Sequence, residues 1–344
     1  MDEDRRRATV HDVARQAGVS LATVDRVLNG RPGVRPTTAQ KVADAIEALD
    51  FRRDLSASLL ARSRDLHLHF FIPDGANAFM DNLDAAIARR ARSGKAERLR
   101  IETTRLKALD AEEVARQLDA LTPRSCDCAV IVATDTPAVI KAVESATRRG
   151  IEVMTLVSDL PGSARRHFIG IDNVAAGRTA AAMLGRFCPL GGKVGVLAGS
   201  LGLRDHAERL DGFRAVLAAE FPVLTVLGPL EGHDDDAETG RHAARLLADP
   251  DLAGLYNLGA GNAGLLAALV ASGRAGTVRV VAHELTEATR SGLVSGAIDV
   301  VLDQSPDREI QAAVSAARAL LQHGPRSVEH GRIEIGIFLR DNLR

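Results

Sequence analysis

From Leu66 onward, short strand-like runs alternate with helix-patterned ones, and this alternation restricts the fold more than any other feature of the chain. The runs are LHLHFFIPD, LRIETTRL, CAVIVATD, IEVMTLVSD, FIGIDN, KVGVLAGS, VLTVLG, LAGLYNLG, VRVVAHEL, IDVVLDQ and IEIGIFL. Strands that return through helices pair in parallel and are covered on both faces, so βα units of this length build doubly wound parallel sheets. Eleven strands exceed what one open twisted sheet holds comfortably, which predicts two lobes with a cleft between them. The fold class of this region is α/β.

The first sixty residues follow a different rule. Thr9 can cap a helix whose inner face carries Val13, Ala14 and Ala17, with Asp12 placed to reach back to the cap. Gly18 breaks that helix. Ser20 caps a second, with Val24, Val27 and Leu28 inward, which stops at Asn29-Gly30. After Pro32, Gly33 and Pro36 a third helix carries Val42, Ala45, Ile46 and Leu49 at helical spacing. Two short helices joined by a tight glycine turn and closed by a third form a small all-α helix-turn-helix unit, whose second helix is shaped for the major groove. Leu55 to Ser63 is apolar and small but has nothing of its own to pack on, and reads as a linker that orders on docking.

Charge agrees with this division. The 344 residues carry a net charge of −1, which alone argues against a nucleic-acid partner. Residues 1–64, however, hold 12 Lys and Arg against 9 Asp and Glu, while the rest of the chain is net acidic. Phosphate contact is therefore expected at the front. The N-terminal MDEDRRRATV has no apolar stretch behind its basic residues, so no secretory signal is expected. No run approaches the roughly 20 apolar residues of a membrane span, and a cytoplasmic location follows as an expectation. Cys126, Cys128 and Cys188 show no zinc spacing and read as reduced core residues.

The segment TVHDVARQAGVSLATVDRVLN, Thr9 to Asn29, resembles the DNA-binding headpiece of the lactose-repressor family almost position for position. The resemblance continues through Gly33-Val34, the third helix, the linker and a sensor domain similar to periplasmic sugar-binding proteins. It implies that Leu21 and Ala22 face base edges, that Arg26 reaches a base or phosphate, and that Thr9, Ser20, Thr23 and Asn29 serve the cap and the DNA backbone. Two departures matter. Asp25 stands where the family usually has Ser, and Arg35 replaces a common Ser cap, which loses a cap but adds a guanidinium near the backbone. Leu60 falls where the family places a minor-groove wedge. Phe51-Arg52-Arg53-Asp54 lacks the family's usual Pro and Asn before the hinge helix.

The same resemblance nominates a ring of polar residues at strand ends, where ligands of open α/β sheets bind. In the second lobe these are Asp172, Arg209, Asn257, Glu284 and Gln304. In the first they are Asn77, Phe79 and Asp135, and Arg204, Asp205 and His206 are weaker candidates. Carboxylates accept from vicinal hydroxyls and a guanidinium donates to oxygen, so the expected effector is a monosaccharide, cyclitol or sugar acid. With no Trp and one Tyr, ring stacking would fall to Phe79.

A rival reading rests on Gly259, Gly261 and Gly264, which follow a strand and open a helix, with Glu284 twenty residues beyond Gly264. That is the dinucleotide fingerprint, and it makes an NAD-binding enzyme the alternative. The histidines are scattered, with no metal pair on a helix and no nucleophile elbow; His283 beside Glu284 reads as a ligand contact or a support for one. The expectation is a non-enzyme without cofactor or metal. By the resemblance it is a homodimeric regulator, a repressor in type, that binds pseudo-palindromic double-stranded operator DNA. Its headpiece spans 1–54, its hinge 55–65 and its sensor 66–344. Lobe 1 is expected over about 66–165 with 305–325, and lobe 2 over about 166–304 with 326–344. The tail Leu343-Arg344 carries no leucine heptads, so no tail-made tetramer is expected.

Overall fold

The computed structural model describes residues 9–28, 33–49, 65–75, 77–94, 97–108, 110–323 and 333–343. Contacts divide the chain into two compact units, residues 1–64 with 318–327 and residues 65–317 with 328–344.

The first unit contains α1 (Val10–Ala17), α2 (Leu21–Leu28) and α3 (Pro36–Ala48). Thr9 and Asp12 form a reciprocal capping box: Thr9 N–H donates to the Asp12 carboxylate at 2.9 Å, and Asp12 N–H donates to Thr9 Oγ1 at 3.3 Å. Gly18 ends α1 in the left-handed conformation at φ 66°, where a side chain would be strained. Ser20 Oγ then accepts from Thr23 N–H at 3.2 Å and starts α2. Val13, Ala14, Val24, Val42 and Ala45 close the core, with Val10, Ala17, Val19, Val27, Ile46 and Leu49 packed around them. The inward face foreseen from helical spacing is the packed one at every position whose burial is described; Leu28 lies outside these.

The second unit holds all eleven expected strands. The first sheet, ordered β2-β1-β3-β4-β5, consists of β1 (Leu66–Asp74), β2 (Leu99–Lys107), β3 (Cys128–Ile131), β4 (Glu152–Leu156) and β5 (His167–Ile169). All its pairings are parallel. The second is ordered β11-β10-β9-β8-β6-β7, with β6 (Gly192–Ala198), β7 (Leu224–Glu231), β8 (Leu252–Asn257), β9 (Arg279–His283), β10 (Val300–Asp303) and β11 (Gly336–Phe338). Only β11 runs antiparallel, along the edge of β10. Because β5 pairs with β4, the first lobe extends through Ile169, beyond the boundary near 165 expected from sequence.

The first lobe carries α4 (Ala78–Gly94), α5 (Ala111–Ala120) and α6 (Pro137–Arg148). The second carries α7 (Asn173–Phe187), α8 (Arg204–Glu220), α9 (Asp236–Leu247), α10 (Asn262–Ala271) and α11 (Glu287–Ser295), and α12 (Pro306–His323) follows β10. Aliphatic clusters fill the sheet–helix layers. Cys126 lies in the first-lobe cluster and Cys128 is buried in β3, and burial pushes the Cys126 thiol up to about 12, so it stays a thiol.

Candidate functional site

Parallel strands deliver every loop that follows them to one end of the sheet, and in both lobes those ends face a common cleft of about 230 Å³. The loop after β1 supplies Asn77 and the first turn of α4 Phe79, the loop after β4 supplies Ser158, and α8, which follows β6, supplies Asp205, His206 and Arg209. Asp234 follows β7, Glu284 follows β9 and Gln304 follows β10.

Arg209 anchors the floor and is only 2% exposed. Its position comes from unusually close helices. A Cβ on Gly177 would stand 1.9 Å from the Arg209 carbonyl oxygen, and one on Gly212 2.1 Å from that of Val174, so α7 and α8 cross backbone against backbone. The crossing brings Asn173 Oδ1 to accept from Arg209 Nε at 2.9 Å, while Leu258 O accepts from Nη1 at 2.8 Å. Nη2 is left 3.8 Å from Glu284 Oε1 and 4.0 Å from Asp205 Oδ2.

Glu284 sits at φ 70° immediately after β9, a conformation that costs on the order of 1–3 kcal/mol for a non-glycine residue and clusters at ligand sites. Its Oε1 accepts from Gln304 Nε2 at 2.8 Å. Burial, only partly opposed by Arg209, raises its carboxyl to about 8. Behind it Glu309, in the first turn of α12, is fully buried, and burial drives its carboxyl well above the ordinary range. His283 is also fully buried; desolvation holds it well below its usual value, and its Nε2 meets Tyr256 Oη at 2.9 Å. It is a neutral core histidine beneath the site.

Several buried polar atoms of this floor have no hydrogen-bond partner among the described residues. They are Ser158 Oγ, Asp205 Oδ1, Arg209 Nη2, Glu284 Oε2 and Gln304 Oε1. Each belongs to a residue lining the cleft. An unsatisfied buried polar group costs about 1–3 kcal/mol, so five converging on one cavity mark a place where an outside molecule supplies the missing bonds.

Of the residues nominated from sequence, Asn77, Phe79, Arg209, Glu284 and Gln304 line the cleft together. Three do not. Asp172 is exposed and caps α7, accepting from Ala175 N–H at 2.9 Å; its neighbour Asn173 is the one that reaches Arg209. Asn257 is fully buried beneath the floor, donating to Ala260 O and Asn262 Oδ1. Asp135 is on the rim, 3.7 Å from Arg204 of the opposite lobe. Sequence reasoning missed Asp234, Ser158 and Glu309. Asp234 accepts from Asn77 Nδ2 across the cleft at 3.2 Å and from Ala260 N–H at 3.0 Å.

The glycine fingerprint has a packing cause. A Cβ on Gly264 would stand 1.7 Å from the Asp236 carbonyl oxygen, one on Gly261 2.1 Å from Thr239 Oγ1, and one on Gly259 2.5 Å from Gly199 N. The amides of Ala263 and Gly264, which a pyrophosphate would require at the start of α10, already donate to Asp236 Oδ1 at 3.1 and 3.3 Å. Among the described residues no group of three or more His, Cys, Asp or Glu could hold a metal ion, and no helix is long and apolar enough to cross a membrane.

In the first unit α2 turns Leu21, Ala22 and Arg26 to solvent, with Thr23 half-buried; Leu21 is 42% exposed, unusual for a leucine in so small a core. Thr9 and Ser20 cap their helices. Arg35 is exposed, and its carbonyl accepts from Thr38 and Ala39 at the start of α3. Asn29, Leu60 and the 55–65 linker lie outside the described residues, apart from Asp65.

The fold and cleft together define a class: a helix-turn-helix headpiece joined in one chain to a two-lobed α/β ligand-binding domain. Residues 68–325 match the periplasmic binding protein domain family, and residues 9–54 match the bacterial regulatory proteins of the lacI family. The chain belongs to the periplasmic binding protein domain family and carries a lacI-family headpiece ahead of that domain. It is 44% identical over 79 residues to catabolite control protein A of Priestia megaterium, covering 23% of this chain and 24% of that protein. It is 30% identical over 206 residues to the HTH-type transcriptional regulator GalS of Salmonella typhimurium, covering 60% of this chain and 58% of that one. The alignment thus spans about a quarter of the length of the first of these relatives. Among solved structures it resembles a solute-binding protein of an ABC transporter from Burkholderia graminis, in complex with D-arabinose. That likeness has a TM-score of 0.74 and 24% identity, and covers 81% of this chain and 96% of the other. A solute-binding protein from Actinobacillus succinogenes with bound D-allose gives 0.72 at 17% identity, over 80% and 98%. These likenesses bear on fold.

Proposed function

We propose that the chain is a sequence-specific DNA-binding transcription regulator of the cytoplasm, a homodimeric repressor whose operator affinity is set by a small polyhydroxylated effector. The observation that carries the effector half is the set of five unpartnered buried polar atoms on one cleft, offering both donors and acceptors. The exposed apolar and basic face of α2 supports the DNA half: Leu21 and Ala22 are shaped for base edges and thymine methyls, and Arg26 for a guanine or a phosphate. D-arabinose and D-allose in the cited structural relatives agree with a sugar-sized ligand. Effector and operator are coupled by differential affinity, the cleft-bound state and the operator-bound state favouring different arrangements of the 55–65 linker. Asn77, Phe79, Arg209, Glu284 and Gln304 contact the effector, with Asp205, Ser158 and Asp234 beside them. Leu21, Ala22, Thr23, Arg26, Asn29, Arg35 and Leu60 contact DNA.

The test has two stages. Selection from a random duplex pool with the full chain should enrich a pseudo-palindromic site. Titration of that site by fluorescence anisotropy, with and without a panel of monosaccharides and cyclitols, should reveal one whose presence shifts operator affinity tenfold or more. Failure of any sequence to enrich would remove the DNA half; an operator indifferent to every ligand that binds the cleft would remove the coupling.

A further inference from the structure

The cleft floor carries more carboxylates than cations, and that imbalance selects among polyols; the inference rests on the polyol reading of the cleft. Among the described residues lining the cleft the arginine and lysine cations are Arg209 on the floor and Lys107, exposed at the end of β2. Asp205 and Glu284 share Arg209, yet neither comes within hydrogen-bond range of its Nη2. Glu284 Oε1 is taken by the neutral amide of Gln304. Asp205 Oδ2 has only His206 Nε2, 3.7 Å away, besides the distant guanidinium. Their other oxygens, Asp205 Oδ1 and Glu284 Oε2, have no partner, and both residues are more than nine-tenths buried. Glu309 lies behind with neither carboxylate oxygen bonded, and Asp303 is buried with its carboxylate spent on the backbone amides of Leu285 and Ser305. On the rim, Asp234 is satisfied by neutral donors alone.

One guanidinium thus faces four buried carboxyl groups, and the two that open on the cleft lack a cation of their own. A neutral hydroxyl would bond to them without favouring their ionised forms, and a ligand carboxylate would oppose ionisation. An ammonium brings three donors and the missing positive charge in one group. We propose that the cognate ligand is a small polyol bearing a protonated amine, an amino sugar or amino-cyclitol, with the ammonium set against Asp205 and Glu284. Its hydroxyls meet Arg209 Nη2, Gln304 Oε1 and Ser158 Oγ.

A second consequence follows from burial. Desolvation, with Asp303 and Asp205 opposing ionisation and Arg209 and Gln304 favouring it, holds the Glu284 carboxyl at about 8, so it is largely protonated at pH 7. A cation beside it draws the carboxyl down and releases its proton on binding.

The experiment is calorimetry on the full chain at pH 7 with series matched in stereochemistry and differing in charge. One series is D-glucosamine, D-glucose and D-glucuronate, a second their galactose counterparts, and a third scyllo-inosamine with scyllo-inositol. In any series that binds, the amine should be at least tenfold tighter than the neutral parent, with the acid weakest, and the binding enthalpy should vary with the ionisation enthalpy of the buffer. Asp205→Asn and Glu284→Gln should each bring amine and parent within threefold. A neutral or acidic member binding tightest overturns the inference and leaves the polyol reading standing, whereas no binding in any series overturns both. The wild-type ordering decides the charge class even if one variant folds poorly, and an amine preference intact in both folded variants overturns the assignment to these carboxylates.

Discussion

Glu284→Gln should make the ligand-free protein more resistant to alkaline pH, and the size of the effect can be worked from the site. The glutamate ionises at about 4.5 when exposed and at about 8 in the fold, where burial is the leading cause. Its folded pKa is raised, so between these values the folded state binds the proton that the unfolded state has lost. Stability from this group is therefore full below about pH 4.5, falls as pH rises, and levels off above about pH 8. The slope is about 1.4 kcal/mol per pH unit. From pH 5 to 7.5 the wild type should lose roughly 3 kcal/mol that the glutamine variant keeps. At roughly 2–4 °C per kcal/mol for a domain of this size, the melting temperatures should diverge by about 6–12 °C over that range. Glu309, Asp303, Asp205 and Arg209 face the same group and are present in both proteins, so the difference between the two curves reports position 284 together with the change it imposes on its coupled neighbours. Scanning calorimetry at half-unit pH intervals supplies the curves. Parallel curves would show that Glu284 is ionised across the range and refute the account of the floor.

Gly264→Ala places a methyl against the Asp236 carbonyl, and forcing α9 from α10 should cost about 1–3 kcal/mol or more; an unchanged melting temperature would refute the close-packing cause of the fingerprint. Arg26→Ala should weaken binding to the selected operator by about 1–3 kcal/mol if it reads a base, or lower the salt slope by about 1 if it holds a phosphate. Affinity and slope both unchanged in anisotropy titrations would take Arg26 out of the interface. Leu60→Ala should weaken operator binding more than random-duplex binding, because a wedge acts only where the duplex is kinked; equal losses in the same assay would make it a packing residue.

Most of the architecture was legible because period-2 and period-3.6 patterns are local. The eleven runs became β1 to β11, and the helix-turn-helix core closed on the spaced aliphatics from Val13 to Leu49. The lobe boundary slipped by a few residues because FIGIDN holds the last strand of one lobe and the first cap of the next, and only pairing with β4 assigns it. Side-chain direction was less legible than position. Asp172 and Asn173 are adjacent, and the cap geometry that turns Asp172 back onto its own helix sends Asn173 inward. Glu309 was invisible because an acid in a first helical turn ordinarily complements the helix dipole in water; its burial is decided by tertiary packing alone. Asp234 was missed because its partner, Asn77, is 157 residues away.

That partner has a consequence for rates. Asn77 Oδ1 accepts from the amides of Phe79 and Met80 at the start of α4, so its amide nitrogen is aimed at Asp234 by a rigid helix end. Farther out, Asp135 and Arg204 span the same opening, both more than a third exposed, and such a pair is worth only about 0–1 kcal/mol. Both links join the two walls of the cleft, so a guest passing between those walls would have to part them, and variants that remove them should change the rates of entry and exit.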